Sequence, residues 1–395
     1  MQRIIKLFLF SIILAAPALA QRDIGYVEVT ADNRFLPVRV SGATPELNAL
    51  ALQAFRAHGR YRVVPSNFIY DIRFSPEGPG QVRVDIARGI GGGTVASDVA
   101  SGSTTREAFF AAADEAVAKT NGLGLRGFFT SKLVFIGERT GRKEVYTSDL
   151  FFGDVHQITH DRAIAMTPRW SPDGEKIVYT SFFRSGFPDI FEIDLGSFQR
   201  TTFVSFKGTN SSARFSPDGR QVAMVLSGEG EPEIYVSNAY GRAVSRRTHS
   251  DTAKASPAWS PDGSRIIFAM APGPQLYVMS AMGGAPERVT IGTSTYCAEP
   301  DWNRVHPDKV AFTMAVGRYS QIGVLDLSQR HGVQVSHAPF DGIEPSWLPD
   351  GRHLVYTARN ASTSRVSILD TETGQSTPLS PVSLGPTLQA NVWSR

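Results

Sequence analysis

The sequence predicts an all-β six-bladed β-propeller preceded by a small N-terminal α/β domain, and three observations carry that prediction. A Trp-Ser-Pro-Asp-Gly turn recurs at near-constant spacing, each copy is followed by short β-rich runs, and the array begins and ends in fragments that together complete one repeat. The chain has 395 residues, 42% of them hydrophobic and 19% charged, which allows two or three domains and a large core. Its single cysteine rules out a disulfide framework. The 36 glycines and 24 prolines follow no three-residue period, which excludes collagen and points to many turns.

Residues 1–20 read as a secretory signal peptide. Arg3 and Lys6 form a basic start, Leu7 to Ala16 an apolar run, and Ala18-Leu19-Ala20 a cleavage site before Gln21. The run is shorter than the roughly 20 residues that span a bilayer, so it is an address rather than an anchor. Without it the chain carries 38 basic against 37 acidic side chains. There is no dense basic stripe of the kind that neutralises a phosphate backbone, so nucleic acid is not an expected partner. There is also no Gly-x-x-x-x-Gly-Lys-Ser/Thr phosphate loop.

Residues 21–128 form the expected α/β domain. Thr44-Pro45 supplies an N-cap and a first helical proline for a helix through Ala57. Thr104 and Glu107 make a capping-box pattern before a second helix, with Phe109, Ala112, Ala113, Ala116 and Val117 on one face and Gly122 as its stop. Tyr61–Val64, Phe68–Phe74 and Gln81–Ala87 read as strands. Gly89 and Gly91-Gly92-Gly93 lack the strand-to-helix order of a dinucleotide site and read as a flexible loop.

Residues 129–395 form the expected propeller. Trp170-Ser171-Pro172-Asp173-Gly174, Trp259-Ser260-Pro261-Asp262-Gly263 and Trp347-Leu348-Pro349-Asp350-Gly351 are copies of one turn, and Phe215 to Gly219 changes only the aromatic residue. Trp302 opens an expanded version through Asn303–Pro307, and Trp393 ends the series, with neighbouring aromatics 43 to 46 residues apart. Proline fixes φ, aspartate caps a nearby N–H and glycine takes the left-handed corner, so each copy is a hairpin turn. A period of this length with β-rich runs indicates four strands per repeat. Leu133–Phe135, Val145–Asp149 and Gln157–Thr159 lack a first strand, while the segment at Trp393 supplies one with nothing after it. Pairing the two closes a ring and removes its open edges.

Taken together, the signal peptide, the α/β domain, the junction Gly124 to Phe135 and the turn repeats resemble the TolB family, periplasmic propeller components of the Tol-Pal system of Gram-negative envelopes. The resemblance implies a periplasmic scaffold that is not an enzyme. It implies that a propeller mouth receives a Pal-like peptidoglycan-associated lipoprotein, and that the segment after the signal peptide meets a TolA-like inner-membrane protein. Membranes are then reached through partners only, and the role is outer-membrane integrity during division. Two features depart from the family pattern: a shorter N-terminal domain and the expanded fourth turn.

Partner contacts map onto residues just before each first strand, where the chain passes from one blade to the next: Met166, Thr167, Ser211, Ser212, Ala255, Ser256, Ala298, Glu299, Ile343 and Glu344. Gln21, Arg22, Asp23 and Ile24 belong to the candidate segment for the inner-membrane partner. No catalytic, cofactor or metal site is expected. His160, His249 and His337 recur in alternate repeats but at a position near the outer strand, and Cys297 has no Cys-His setting. The alternative reading is a propeller enzyme acting on envelope glycans or peptides, with Asp301, Asp341 and Glu344 as candidate acids. No Gly-x-Ser-x-Gly elbow supports it.

Overall fold

The structure is a computed structural model that describes residues 35–184 and 186–394. The signal segment, its cleavage point and Gln21–Ile24 lie outside the described residues. No helix among the described residues is long and apolar enough to cross a membrane.

The first domain runs β1 (Leu36–Gly42), α1 (Pro45–Ala57), β2 (Tyr61–Val63), β3 (Tyr70–Gly78), β4 (Gln81–Arg88), β5 (Thr94–Ser101) and α2 (Thr105–Thr120). Its sheet has the order β2-β1-β3-β4-β5, with β1 parallel to both neighbours and the rest antiparallel. Both helices start where their caps place them. Thr44 Oγ1 accepts the Leu47 N–H at 3.2 Å, and Thr104 Oγ1 accepts that of Glu107 at 3.1 Å. The Glu107 carboxylate reaches back to the N–H of Ser103, one residue before the expected partner. Phe109, Ala112, Ala113, Ala116 and Val117 are all buried. Two strands escape the sequence reading. Pro37 interrupts the strand signal of β1, although Leu36, Val38 and Val40 alternate inward. The edge strand β5 is rich in Ala and Ser and exposes Val95 and Val99.

The rest is a closed ring of six four-stranded antiparallel sheets. Their innermost strands are Ala165–Trp170, Asn210–Phe215, Lys254–Trp259, Cys297–Trp302, Asp341–Trp347 and Thr387–Trp393, which we number as blades 1 to 6. Blade 6 combines Thr387–Trp393 with strands at 132–137, 144–149 and 156–157. Its register corrects one detail. Val392, opposite Leu133, occupies the place that Trp259 holds opposite Ile266, so Trp393 lies one residue beyond the aromatic position. Its ring packs 6.0 Å from that of Trp170, and a Cβ on Gly174 would come within 2.3 Å of it.

Two recurrent hydrogen-bond devices hold the blades. In the turns, Ser171, Ser216 and Ser260 each donate to the aspartate two residues on and accept the N–H five residues on. At the outer strands, the hydroxyls of Thr159, Thr248, Thr290 and Ser336 accept the N–H groups of Val145, Ile234, Leu276 and Ile322 and donate to Glu144, Glu233, Gln275 and Gln321. His160, His249 and His337 each follow one of these hydroxyl residues and are exposed, whereas Ile291 stands at that place after Thr290. The expanded fourth turn is closed by Asn303, whose Oδ1 accepts the N–H groups of Val305 and His306 at 2.9 Å.

Candidate functional site

The residues Thr167, Ser212, Ser256, Glu299, Glu344 and Gln389 occupy one position in the six innermost strands, and all have φ between 49° and 57°. Non-glycine residues rarely adopt this conformation, and its repetition around a ring is stored strain of the kind concentrated at functional sites. Each produces a bulge that shifts the register against the next strand. Proline follows in four cases, at 168, 257, 300 and 345, where a bulged strand has no need of the N–H. Thus these residues lie inside the first strands, not before them.

Together with Arg169, Arg214 and the residues Ala213, Pro257, Pro300 and Pro345 that follow four of the bulges, the six line a channel cavity of about 70 Å³. Thr167, Ser212, Ser256, Glu299 and Glu344 are therefore brought together, whereas Met166, Ser211, Ala255, Ala298 and Ile343 are strand residues outside its lining. Gln389 is the member that sequence reasoning missed, although it falls 45 residues after Glu344. The shift of Trp393 hides it, because counting back from that tryptophan gives the wrong residue.

Half of the ring is stitched by long side chains. Gln389 Oε1 accepts the Thr167 N–H at 2.7 Å, Gln389 Nε2 donates to Glu344 at 2.9 Å, and Glu299 accepts the Glu344 N–H at 3.0 Å. Ser212 and Ser256 carry only short hydroxymethyl side chains, and the Ser212 N–H is accepted instead by Thr180 Oγ1 of blade 1 at 3.2 Å. Burial and the neighbouring Glu344 raise the Glu299 carboxyl above the usual range, against the help of Thr313. Burial, then the like charge of Arg214, pushes Arg169 down to about 10. Asp301 is fully engaged: it pairs with Arg214 and accepts the Trp347 N–H at 2.7 Å. Asp341 pairs with Arg359 at 3.1 Å. Burial raises the Cys297 thiol to about 11.

The opposite end of the propeller is covered by the α/β domain. The fifth turn explains why: Leu348 replaces the serine, which frees Asp350. Asp350 Oδ1 accepts the N–H groups of Arg352 and His353 at 3.0 Å, and its Oδ2 takes the His353 Nδ1–H at 2.6 Å. His353 Nε2 then accepts the Gly59 N–H at 3.1 Å, across the domain boundary. A Cβ on Gly59 would fall 2.0 Å from the Asp370 carboxylate, which pairs with Arg352. Phe128, His58 and His353 pack as a triangle of rings, with Phe128 4.3 and 4.8 Å from the two imidazoles and these 4.5 Å from each other. Arg106 pairs with Asp149 at 2.8 Å. His58, Asp350 and His353 bring one ligand-capable atom each within 4.8 Å. The 2.6 Å separation of Nδ1 and Oδ2 is that of a hydrogen bond, shorter than the roughly 3.3 Å between two ligands on zinc at about 2 Å each. The cluster is a latch between domains. It could have been read from Leu348 and His353 as departures from the repeat.

Six sheets closed around a narrow polar channel, one end covered by an α/β domain and the other ringed by strained residues, define a two-domain β-propeller protein. The chain belongs to the TolB β-propeller family, whose model, described as the TolB beta propeller domain, matches residues 122–395. A Protein TolB homolog of Chlorobium chlorochromatii is 36% identical over 148 residues, 38% of this chain and 33% of that one. The Tol-Pal system protein TolB of Desulfosudis oleivorans is 35% identical over 127 residues, covering 32% and 28% of the two chains. The chain thus spans about a third of the length of the curated relatives it matches. The crystal structure of TolB from Acinetobacter baumannii superimposes with a TM-score of 0.79 at 21% identity, covering 91% of this chain and 97% of that one, and so shares the fold.

Proposed function

We propose that this chain is a non-enzymatic periplasmic scaffold of a Tol-Pal envelope complex. It binds a Pal-like peptidoglycan-associated lipoprotein at the propeller mouth and a TolA-like inner-membrane protein through the segment at Gln21–Ile24, and so supports outer-membrane integrity and division. Membership of the TolB family and the names carried by its relatives support the system. The observation that supports the binding site is the ring of strained residues lining the channel at the uncovered end. Its cavity of about 70 Å³ is far below the roughly 300 Å³ at which small-molecule pockets begin, so it suits the tip of a partner side chain better than a sugar or peptide substrate. Asp301 also has both oxygens engaged, which disfavours it as a catalytic acid. Affinity capture from an envelope extract tests the reading. The expected result is recovery of a peptidoglycan-associated lipoprotein, retained when Gln21–Val27 is deleted; capture of no envelope lipoprotein contradicts it.

A further inference from the structure

A corner of the mouth face beside blade 1 exposes apolar side chains that the lipoprotein reading does not use. Ile164, Phe183, Phe187 and Phe206 are all exposed, Phe187 by 68% and Phe206 by 54%. They come from three segments that the backbone ties together. The Phe182 N–H donates to the Ile164 carbonyl at 3.2 Å, and Asn210 Nδ2 donates to the carbonyls of Phe206 at 2.8 Å and Pro188 at 3.3 Å. The Arg200 guanidinium stacks 3.8 Å from the centroid of Phe183 and pairs with Asp161, and the corner's second carboxylate, Asp189, is buried and accepts from Asn210 Nδ2 at 3.3 Å.

Arg162, Arg184 and Lys207 lie in the same three segments, are exposed, and form no ion pair among the described residues. Three uncompensated cations beside exposed aromatic rings are a local excess on a chain that is otherwise almost neutral. The apolar groups stand at separate loop tips, an arrangement a fluid surface accommodates without a matching shape. Aromatic tips with basic neighbours are the chemistry of the water–bilayer boundary, where apolar insertion and attraction to anionic headgroups act together.

We propose that this corner seats directly on an anionic lipid bilayer, giving the chain a membrane contact of its own. Charge complementarity selects this occupant over a neutral one. The test is co-sedimentation of the purified chain, without any protein partner, with phosphatidylglycerol-containing vesicles and with neutral phosphatidylcholine vesicles at low salt. Binding to the anionic vesicles is expected, weakened about fivefold for each of Arg184→Ser and Lys207→Ser, reduced by added salt, and lost with Phe187→Ser plus Phe206→Ser. A Phe187→Trp variant should shift its emission to the blue on contact with the same vesicles. Absence of binding to anionic vesicles, equal binding to neutral ones, or binding unaffected by these substitutions overturns the proposal. Because no lipoprotein is present, either outcome leaves the partner reading to its own test.

Discussion

The two ends of the propeller are built from the same repeat and put to opposite uses. At the covered end, a turn that is exposed in blades 1 to 3 is rebuilt in blade 5: Asp350 is buried, His353 bridges to Gly59, and the junction residues Phe128 and Phe129 fill the space between domains. At the open end the residues are polar, strained and incompletely packed. The contrast teaches where the molecule has spent packing and where it has kept strain. Buried packing and a cross-domain hydrogen bond hold the domains together, whereas strain of the kind kept at the rim is concentrated at functional sites.

The largest effect is expected from breaking the covered end. Asp350→Ala removes the acceptor for two N–H groups and for His353 Nδ1, and should lower unfolding stability by about 3 kcal/mol, read from the urea midpoint. A loss near zero would show that the rebuilt turn merely touches its neighbour. At the open end, Ser256→Val places a β-branched residue at φ 53° and should cost roughly 1–2 kcal/mol, while Ser256→Gly should cost nothing or stabilise. Equal effects of the two would remove strain from the account of the rim.

A pH experiment sharpens the comparison further. Burial, followed by unfavourable interaction with the neighbouring His353 ring and the Arg352 guanidinium, holds the His58 imidazole well below its usual value of 6.5, so the folded protein keeps it neutral. The unfolded chain takes up that proton first. The contribution of neutral His58 is therefore fully present above pH 6.5 and is lost as pH falls below it. Thermal melts between pH 7.5 and 5 should show a decline that His58→Phe, which retains the packing against Phe128, reduces; an unchanged slope would place the sensitivity elsewhere. The smallest effect belongs to Glu299→Gln. Its carboxyl is raised by burial and by Glu344, so its ionised form opposes folding at neutral pH, and removing the charge should raise Tm by roughly 1–2 °C.

Much of this architecture was legible in the sequence because turn chemistry is local. Trp-Ser-Pro-Asp-Gly dictates a corner wherever it occurs, its period fixes the number of blades, and the incomplete first and last repeats imply closure. Helix caps at Thr44 and Thr104 are equally local. What escaped depends on partners distant in sequence. The strands β1 and β5 gain their identity from the sheet rather than from composition, and Gln389 is found only from register. The latch joins His58 to His353 across the domain boundary: Leu348 and His353 stand out as departures from the repeat, but nothing in the spacing names their partner in the other domain. The five channel residues among the ten candidates were separated from the others by the bulge, which turns one residue of each pair into the cavity.

The most direct test of the claim that the open end binds the partner is a calorimetric titration of a Pal-like periplasmic domain into the wild-type chain, an Ala255→Trp variant at the exposed rim and a His58→Phe variant at the covered end. The account predicts affinity at least about tenfold weaker for Ala255→Trp and unchanged for His58→Phe. Unchanged binding at the rim, with loss at the covered end, would contradict it.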